Sequence, residues 1–457
     1  MNSEHVSNGE KALGFRHLPK NAVVKETLPI LHDGRWLYYR APALHWKYSC
    51  QLQDRINKNL DIVDPTNYQI VIVSNPQNAH DYSAELYVNL TESEIGKNKV
   101  TEYTSTPYPG DIEDRVKILN DKVPETVFIV ASLITVEDYV MVNRLASKYR
   151  KYPEVKKIVL ISPFMGGQRE DKNAKLIEGT DKVIFTEQAM TAASNIEILA
   201  QNFDEIRNFE THSSASPTWA AEYKIPFAPI SLWKLMVNKF KDNISELGEI
   251  FNPKEYTFIC PDKGRNMGAK KIQEFLEIEN RVNFEKNRDD KGNLTFKDLN
   301  PSQIESIRDK NLLLYDDEVA SFKTLKGVVN KLVKAEASVK SITIMLGHVK
   351  LTKDYIDNHG VIRSVWKENV DEIISIAKSK NIKIKFYISD SREPLSDIHS
   401  YAKEHEGMFE FVGVTPLITQ VIEAEINQQN LWRKGESPLI DLIIQARTPE
   451  EEQEENE

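Results

Sequence analysis

Short runs of β-branched and other apolar residues recur along the chain and alternate with amphipathic stretches. Continuous apolar runs, which are typical of strands buried on both faces, occupy 69–74, 127–131, 157–162, 256–260, 311–315, 341–345 and 382–388. Residues 138–149, 322–336 and 370–380 carry apolar side chains at three- and four-residue spacing, which predicts helices packed on a core. The alternation predicts an α/β fold with mainly parallel sheets.

The strand and helix series occurs twice along the chain. One series covers residues 68–229, and a closing helix within 416–440 is assigned to the same domain. The other series covers residues 230–415. Residues 1–67 precede the alternation and are interpreted as an N-terminal extension, and 441–457 form an acidic tail. A length of 457 residues agrees with two domains.

Composition narrows the class of protein and its partners. The chain is 40% hydrophobic and 28% charged, which is the balance of a globular protein. A net charge of -10 argues against nucleic acid as a partner, and no apolar run approaches the roughly 20 residues that cross a membrane. The two cysteines, Cys50 and Cys260, cannot form a disulfide framework, so we expect a cytoplasmic protein.

The clearest chemical signal is a pair of carboxylates at a predicted strand end. Asp316 and Asp317 follow the apolar run 311–315 and precede a short loop and a predicted helix. Ligands of open α/β sheets bind at the carboxyl ends of strands, where such acceptors suit sugar hydroxyls or hydrated magnesium. The helix that follows would favour phosphate at its N-terminus. The alternative is a pair of solvated turn aspartates.

Four weaker signals carry charged or metal-binding residue types. Arg169 follows two glycines after the strand 157–162, and His212 follows another predicted strand. Asp262 lies at the end of the strand 256–260, and Lys286 and Arg288 alternate on a polar segment that could neutralise a transferring phosphoryl group. The alternatives are an exposed turn, a structural histidine and a solvated hairpin. The sequence has no Walker A loop.

Taken in order, these segments of residues 68–440 resemble the ribose-phosphate diphosphokinases, which make phosphoribosyl pyrophosphate from ATP and ribose 5-phosphate. The resemblance implies two tandem phosphoribosyltransferase-like domains, Mg²⁺ as cofactor and a homo-oligomer, either a dimer or a hexamer. Residues 163–172 look like the family segment Pro-Tyr-x-Gly-Tyr-Ala-Arg-Gln-Asp-Arg, and residues 108–118 look like its Phe-x-Asp-Gly-Glu segment, which holds adenine from a neighbouring subunit. The implied ATP contacts are Arg169, Glu170, Asp171, Asp111 and Glu113.

The same resemblance assigns the remaining site residues. His212 matches the histidine of Asp-Leu-His that binds magnesium, and Asp262 matches the aspartate of Pro-Asp-x-Gly near the metal. Lys286 and Arg288 fall on the catalytic lysine and the second arginine of the flexible loop. The sugar-binding residues are the aspartate loop, which we define as residues 316–324 and which contains Asp316, Asp317, Ser321, Phe322, Lys323 and Thr324.

The aspartate loop departs from the family pattern Asp-Asp-x-x-Asp-Thr-Gly-Gly-Thr. Ala320 replaces the third aspartate, and Phe322 and Lys323 replace both glycines, which should alter the phosphate cradle. Three hypotheses follow. The acceptor is ribose 5-phosphate held in an unusual cradle, or it is ADP-ribose, whose base packs on Phe322 and whose second phosphate meets Lys323. In the third hypothesis the chain is a non-catalytic regulatory relative.

Overall fold

The computed structural model of this chain describes residues 30–32, 35–37, 66–74, 82–104, 123–169, 174–176, 183–185, 191–212, 215–261, 266–288, 294–335, 337–352, 354–356, 362–392 and 396–426. These residues divide into two compact units. The first comprises the described residues up to Ser231 together with those from Thr415 onward, and the second comprises Leu232–Val414.

The first unit contains ten strands and five helices among its described residues. The strands are β1 (Ile30–His32), β2 (Arg35–Leu37), β3 (Tyr68–Ser74), β4 (Val100–Thr104), β5 (Thr126–Val130), β6 (Lys157–Ser162), β7 (Ala174–Leu176), β8 (Val183–Phe185), β9 (Glu205–Phe209) and β10 (Phe227–Ile230). The helices are α1 (Tyr82–Glu92), α2 (Val136–Tyr149), α3 (Thr191–Ala200), α4 (Ala215–Glu222) and, after the second unit in sequence, α11 (Thr415–Ile426).

The second unit has the same alternating character. Its strands are β11 (Tyr256–Cys260), β12 (Asn280–Asn283), β13 (Lys286–Arg288), β14 (Leu294–Phe296), β15 (Asn311–Val319), β16 (Ser341–Val349), β17 (Tyr355–Ile356), β18 (Ile362–Arg363), β19 (Lys383–Ser389) and β20 (Phe409–Val412). Its helices are α5 (Trp233–Glu246), α6 (Asn266–Phe275), α7 (Pro301–Ile307), α8 (Lys323–Lys334), α9 (Val365–Ser379) and α10 (Ser396–Glu404), with a 3-10 turn at Pro253–Glu255.

Each unit is built on a six-stranded sheet whose neighbouring strands are all parallel. The strand order is β10-β9-β6-β5-β3-β4 in the first unit and β12-β11-β15-β16-β19-β20 in the second. In the first sheet β4 and β5, which follow β3 in the chain, lie on opposite sides of β3. In the second sheet β12 and β15 lie on opposite sides of β11 in the same way. This reversal creates a topological switch point between β3 and β5 and another between β11 and β15, where open α/β sheets bind ligands.

The apolar residues of β15 alternate between the two faces of the second sheet. Leu312 and Leu314 pack in a cluster that includes Leu325 of α8, whereas Leu313 packs in a second cluster with Phe240 of α5. Burial on both faces explains why this strand is a continuous apolar run in the sequence. Because side chains alternate along a strand, Asp316 lies on the same face as Leu312 and Leu314, which pack with α8. Asp317 lies on the opposite face, with Leu313.

A buried ion network joins α11 to the sheet of the first unit. Lys157 of β6 lies 2.8 Å from Glu205 of β9 and 3.4 Å from Glu425 of α11. Arg207 of β9 pairs with Glu205 and lies 2.6 Å from the same Glu425 carboxylate. Two cations and two carboxylates therefore compensate one another in the interior, which satisfies charges that would otherwise be costly to bury.

The α/β fold class with parallel sheets is confirmed, and the element bounds differ modestly from those predicted. The helix predicted over 138–149 begins earlier, as Val136–Tyr149, and that over 370–380 is Val365–Ser379. The strand predicted over 311–315 continues to Val319 and includes both aspartates. In the part of the chain that the structure describes, no helix is long and apolar enough to cross a membrane.

Candidate functional site

Asp316 and Asp317 lie at the switch point of the second sheet. They are the sixth and seventh residues of the nine-residue strand β15, which neighbours β11 on one side and β16 on the other. Asp316 is half-buried, and Asp317 is only 3% exposed. The two carboxylates therefore sit at different depths on opposite faces of one strand. This arrangement could present acceptors to two groups of one small ligand.

The loop after β15 is held by the segment after β16. Buried Glu318 forms an ion pair with Lys350, with Nζ and Oε2 2.9 Å apart. The backbone N–H of Lys350 donates to the carbonyl of Val319 at 2.8 Å, and that of Thr352 donates to the carbonyl of Ala320 at 3.1 Å. These contacts fix the chain between the aspartates and α8, so the loop enters the helix along a defined path.

Phe322 makes the turn into α8 in the left-handed backbone region, with φ 60° and ψ 5°. Its ring is 1% exposed and lies in the core, with its centroid 6.4 Å from that of Phe386. The expectation that Phe322 packs against the base of an acceptor is therefore wrong, because its ring faces the interior. Its backbone takes a left-handed conformation that glycine adopts readily, so the replacement of glycine by Phe322 does not abolish a left-handed turn here.

The remaining residues of the aspartate loop surround the start of α8. The carbonyl of Ser321 accepts a hydrogen bond of 2.7 Å from Nδ2 of Asn369, which is buried on α9. Lys323 is exposed as the first residue of the helix, and Thr324 is half-buried beside it. The first N–H groups of a helix lack intrahelical partners, so the loop leads from the aspartates to donors suited to phosphate.

Lys286 and Arg288 belong to a hairpin in the same unit. They are the first and last residues of β13, which pairs antiparallel with β14. Lys286 is the cross-strand partner of Phe296, and Arg288 is the partner of Leu294. The segment that the sequence suggested as a loop is thus a strand at these two residues.

A buried histidine, which the sequence reasoning did not select, lies at the end of β16. His348 is 1% exposed and is the cross-strand neighbour of Glu318. Its Nδ1 lies 2.7 Å from Oγ of Ser391, which in turn lies 2.7 Å from Oγ of Ser389. This cluster fixes the ends of β16 and β19 next to the aspartate loop. A lone histidine in an apolar run gives too little signal to find from sequence.

In the first unit, the loop after β6 presents Arg169, and we call residues 163–169 the glycine loop. Gly167 has φ 78°, and a Cβ there would lie 2.7 Å from Cγ2 of Thr191. The carbonyl of Gly166 accepts hydrogen bonds from the hydroxyl of Tyr139 at 2.9 Å and from Nδ2 of Asn195 at 3.1 Å. Arg169 is exposed at the end of this fixed turn.

Gln168 joins the glycine loop to the loop that carries His212. Its side chain is 4% exposed, and Oε1 accepts a hydrogen bond of 2.9 Å from the backbone N–H of His212. The strands before the two loops, β6 and β9, are neighbours in the sheet. The structure therefore brings the Arg169 and His212 segments together. The sequence offered only a polar residue between glycine and arginine, where the family segment has alanine.

The residues before His212 are also constrained. Glu210 is 6% exposed with φ 46°, its Oε2 accepts a hydrogen bond of 3.1 Å from Oγ of Ser231, and its N–H donates to Ile230 at 2.6 Å. Nδ2 of Asn208 donates to Oγ1 of Thr211 at 2.9 Å. His212 itself is half-buried. A left-handed glutamate costs conformational energy, which the surrounding hydrogen bonds offset.

Several predicted site residues lie outside the described part of the chain: Asp111, Glu113, Glu170, Asp171 and Asp262. Among the residues that are described, no group of three or more His, Cys, Asp or Glu side chains could hold a metal ion. Magnesium commonly keeps several waters and takes other ligands from substrate phosphates. His212, whose backbone N–H is bound by Gln168 of the glycine loop, would suit such an ion.

Comparisons with known proteins identify the fold. No protein-family model matches the sequence, and a search of curated proteins gave no match. The chain is similar to the crystal structure of phosphoribosylpyrophosphate synthetase from Mycobacterium smegmatis, with a TM-score of 0.54 and 15% identity, covering 79% of this chain and 99% of that one. A purine phosphoribosyltransferase from Pyrococcus horikoshii Ot3 is 13% identical over 26% of this chain and 84% of its own, but its TM-score is only 0.19. The chain thus has the two-domain α/β fold of a phosphoribosylpyrophosphate synthetase.

Proposed function

We propose that this protein is an ATP-dependent diphosphokinase. It transfers the β,γ-diphosphoryl group of ATP to the C1 hydroxyl of a 5-phosphorylated ribose and releases AMP. One observation carries the proposal: twin aspartates at the switch point of a parallel sheet lead directly into a helix N-terminus. A 5-phosphorylated ribose has vicinal hydroxyls at one end and a phosphate at the other. The hydroxyls suit the aspartate carboxylates, which accept hydrogen bonds, and the phosphate suits the N–H groups of the helix, which donate them.

The acceptor is held by the second unit. Asp316 and Asp317 accept hydrogen bonds from the 2- and 3-hydroxyls of the ribose, which orients C1 for attack. The N–H groups of Lys323 and Thr324, with the hydroxyls of Ser321 and Thr324, bind the 5-phosphate. The turn at Phe322 supports this assignment, because its ring is buried in the core while the next residue, Lys323, is exposed at the start of α8.

The donor is held by the residues that the family resemblance assigns to ATP. Arg169 binds phosphate oxygens with its planar guanidinium, beside Glu170 and Asp171. Asp111 and Glu113 of a neighbouring subunit hold the adenine, so the active protein is a homo-oligomer, a dimer or a hexamer, which works in the cytoplasm. By the same resemblance, His212 and Asp262 would be the residues that hold Mg²⁺. When bound, this ion neutralises charge on the triphosphate.

The transfer is an in-line displacement at the β-phosphorus. The C1 oxygen forms a bond to that phosphorus, the bond to the oxygen bridging to the α-phosphorus breaks, and the hydroxyl proton leaves to solvent. Lys286 and Arg288 stabilise the charge on the transferring group and on the departing AMP. Positioned cations of this kind contribute on the order of 3 kcal/mol each to transition-state stabilisation.

Two acceptors satisfy this chemistry, and we favour ADP-ribose over ribose 5-phosphate. Compared with the family segment, Ala320 removes a negative charge and Lys323 adds an exposed positive one next to the 5-phosphate position. Both changes suit an acceptor that continues beyond its 5-phosphate into a second phosphate. Ribose 5-phosphate stays a second candidate, because the left-handed turn at Phe322 is of the kind that glycine favours in phosphate-binding loops.

An acceptor screen tests the proposal. The protein is incubated with ATP, Mg²⁺ and either ADP-ribose or ribose 5-phosphate, and AMP is quantified by chromatography. We expect AMP release that depends on the sugar phosphate and is faster with ADP-ribose. Faster release with ribose 5-phosphate would reverse our order of acceptors. If neither sugar phosphate leads to AMP release, the proposal is contradicted, and a regulatory relative or an unrelated acceptor is favoured.

A further inference from the structure

A glycine in the middle of α8 accommodates an aromatic ring from the β13–β14 hairpin. A Cβ at Gly327 would lie 2.2 Å from Cε2 and 2.8 Å from Cδ2 of Phe296. No real side chain tolerates such distances, so the ring occupies the space that any other residue would need. Glycine weakens a helix relative to alanine, and its presence here indicates that contact with Phe296 outweighs helix propensity.

Both stems of the hairpin insert aromatic rings into the core. Phe296 ends β14 and is 9% exposed, and Phe284, just before β13, is 1% exposed. Their rings meet edge to face, with centroids 6.0 Å apart and planes at 87°. Both belong to the cluster that contains Leu325 and Val328 of α8. The base of the hairpin is therefore part of the hydrophobic core.

An ion pair gives the hairpin a second tether to the same helix. Asp298, two residues after β14, pairs with Lys331, which lies one turn beyond Gly327 on α8. The hydrogen bond from Lys331 holds the pKa of Asp298 below its ordinary value. Asp298 is exposed, so this pair adds direction rather than much stability. Gly327 and Lys331 are neighbours on one helix face. Gly327 contacts Phe296 at the end of β14, and Lys331 pairs with Asp298 just after it.

This anchor is directly connected to the residues of the proposed chemistry. Phe296 is the cross-strand partner of Lys286, so the two backbones are joined in the hairpin ladder. Gly327 lies four residues after Lys323, which is about 6 Å along the helix axis. The same helix thus carries the aspartate loop at its start and the hairpin one turn later.

We propose that Phe296, seated on Gly327, is a positioning residue that sets the hairpin bearing Lys286 and Arg288 against α8 and thereby aligns it with the aspartate loop. The catalytic consequence rests on the proposed function, whereas the anchoring itself does not. Phe296 is not a catalytic residue, because its ring lies in the core. It acts by fixing the strand opposite Lys286.

The substitution Gly327→Ala tests this inference. The added methyl group must displace the Phe296 ring, while alanine improves helix propensity, so we expect the protein to remain folded. Backbone amides of residues 284–288 and 294–296 should exchange hydrogen faster, and those of β15 should not change. Turnover should fall roughly 10- to 100-fold, because small misplacements of catalytic groups are costly, while KM for ATP and for the acceptor stays within about twofold.

Three further variants separate positioning from folding. Phe296→Leu combined with Gly327→Ala leaves room for the new methyl group, and it should recover much of the turnover and slow the exchange of the hairpin amides again. Asn330→Ala on the same helix is the matched control and should change neither measurement. Phe296→Leu alone serves if Gly327→Ala fails to fold, and should lower turnover less.

The outcomes distinguish this inference from the proposed function. Unchanged hydrogen exchange of the hairpin in Gly327→Ala overturns the anchor. Faster exchange with unchanged turnover overturns the positioning role. If the wild-type protein releases no AMP with either acceptor, the proposed function fails, and hydrogen exchange still decides whether Phe296 and Gly327 anchor the hairpin.

Discussion

The glycine loop of the first unit and the aspartate loop of the second make similar left-handed turns with different residues. Gly167 turns with φ 78°, and a side chain at that position would collide with Thr191. Phe322 turns with φ 60°, and its side chain is buried in the core. One loop needs glycine because there is no space for a side chain, whereas the other provides space on its inner side.

This difference shows that a missing glycine does not mean a missing turn. A left-handed backbone costs a residue with a side chain roughly 1–2 kcal/mol. Complete burial of a phenylalanine side chain contributes about 1.5–3 kcal/mol, which offsets that cost. Tertiary packing can therefore hold a conformation that local sequence rules reserve for glycine, and Phe322 makes the left-handed turn at the start of α8.

The largest effect should come from Phe322, because its ring stabilises the fold and its backbone makes the turn. Phe322→Ala should lower the free energy of unfolding by about 3–5 kcal/mol. Phe322→Gly loses the same packing but accepts positive φ, so it should be more stable than the alanine variant by roughly 1 kcal/mol. Urea denaturation measures both. Equal stability of the two variants would contradict the left-handed turn.

The next effect tests the assignment of chemistry to the second unit. Lys286→Ala should reduce turnover by at least ~100-fold, because it removes a cation that acts on the transferring group, with little change in folding. Lys297→Ala, directly after β14, is the matched control, since Lys297 is an exposed lysine that pairs with exposed Glu285. AMP release measures both variants. Near-normal turnover in Lys286→Ala would remove that assignment.

A smaller effect tests the polar link in the glycine loop. Gln168→Met keeps the volume of the side chain but cannot accept the hydrogen bond from the N–H of His212. That leaves a half-buried donor without its acceptor and loosens the His212 segment, so we expect about a tenfold loss of turnover and a higher Mg²⁺ requirement. Gln201→Met, at the exposed residue directly after α3, removes only an exposed hydrogen bond from Asn143 and is the control. An unchanged magnesium titration would argue that Gln168 is only structural.

The smallest effect compares two acids, one in each unit, whose pKa values shift in opposite directions. Burial raises the pKa of Glu222 in the first unit to about 7, although Lys224 opposes the shift. The folded state then holds the proton more tightly than the unfolded state, so this acid stabilises at low pH and loses its contribution as pH rises to 7. Asp298 in the second unit has a lowered pKa, so its contribution is lost as pH falls.

Glu222→Gln should therefore raise the melting temperature at pH 8 by roughly 1–2 °C, because the group is only half-buried and solvent screens it. The effect should vanish near pH 4.5. Calorimetry at the two pH values measures the difference. A larger gain at pH 4.5 than at pH 8 would reverse the sign of the expected shift and contradict the burial of this carboxyl group.

The sequence predicted those features that depend on periodicity and on chain order. Buried parallel strands such as β6 and β16 are continuous apolar runs, so the α/β layers could be predicted, although β15 continues past Asp316 to Val319. Features that depend on distant residues could not. The burial of the Phe322 ring requires Phe386 on another strand, and the link from Gln168 to His212 spans 44 residues. No local pattern encodes such contacts.

The central claim is that a diphosphoryl group is transferred intact to C1 of a 5-phosphorylated ribose. Phosphorus NMR of the reaction mixture with ATP, Mg²⁺ and ADP-ribose tests it most directly. The account predicts equal amounts of AMP and of a new diphosphate ester coupled to the anomeric proton of the ribose. AMP accompanied by free inorganic pyrophosphate, with the sugar phosphate unchanged, would contradict it.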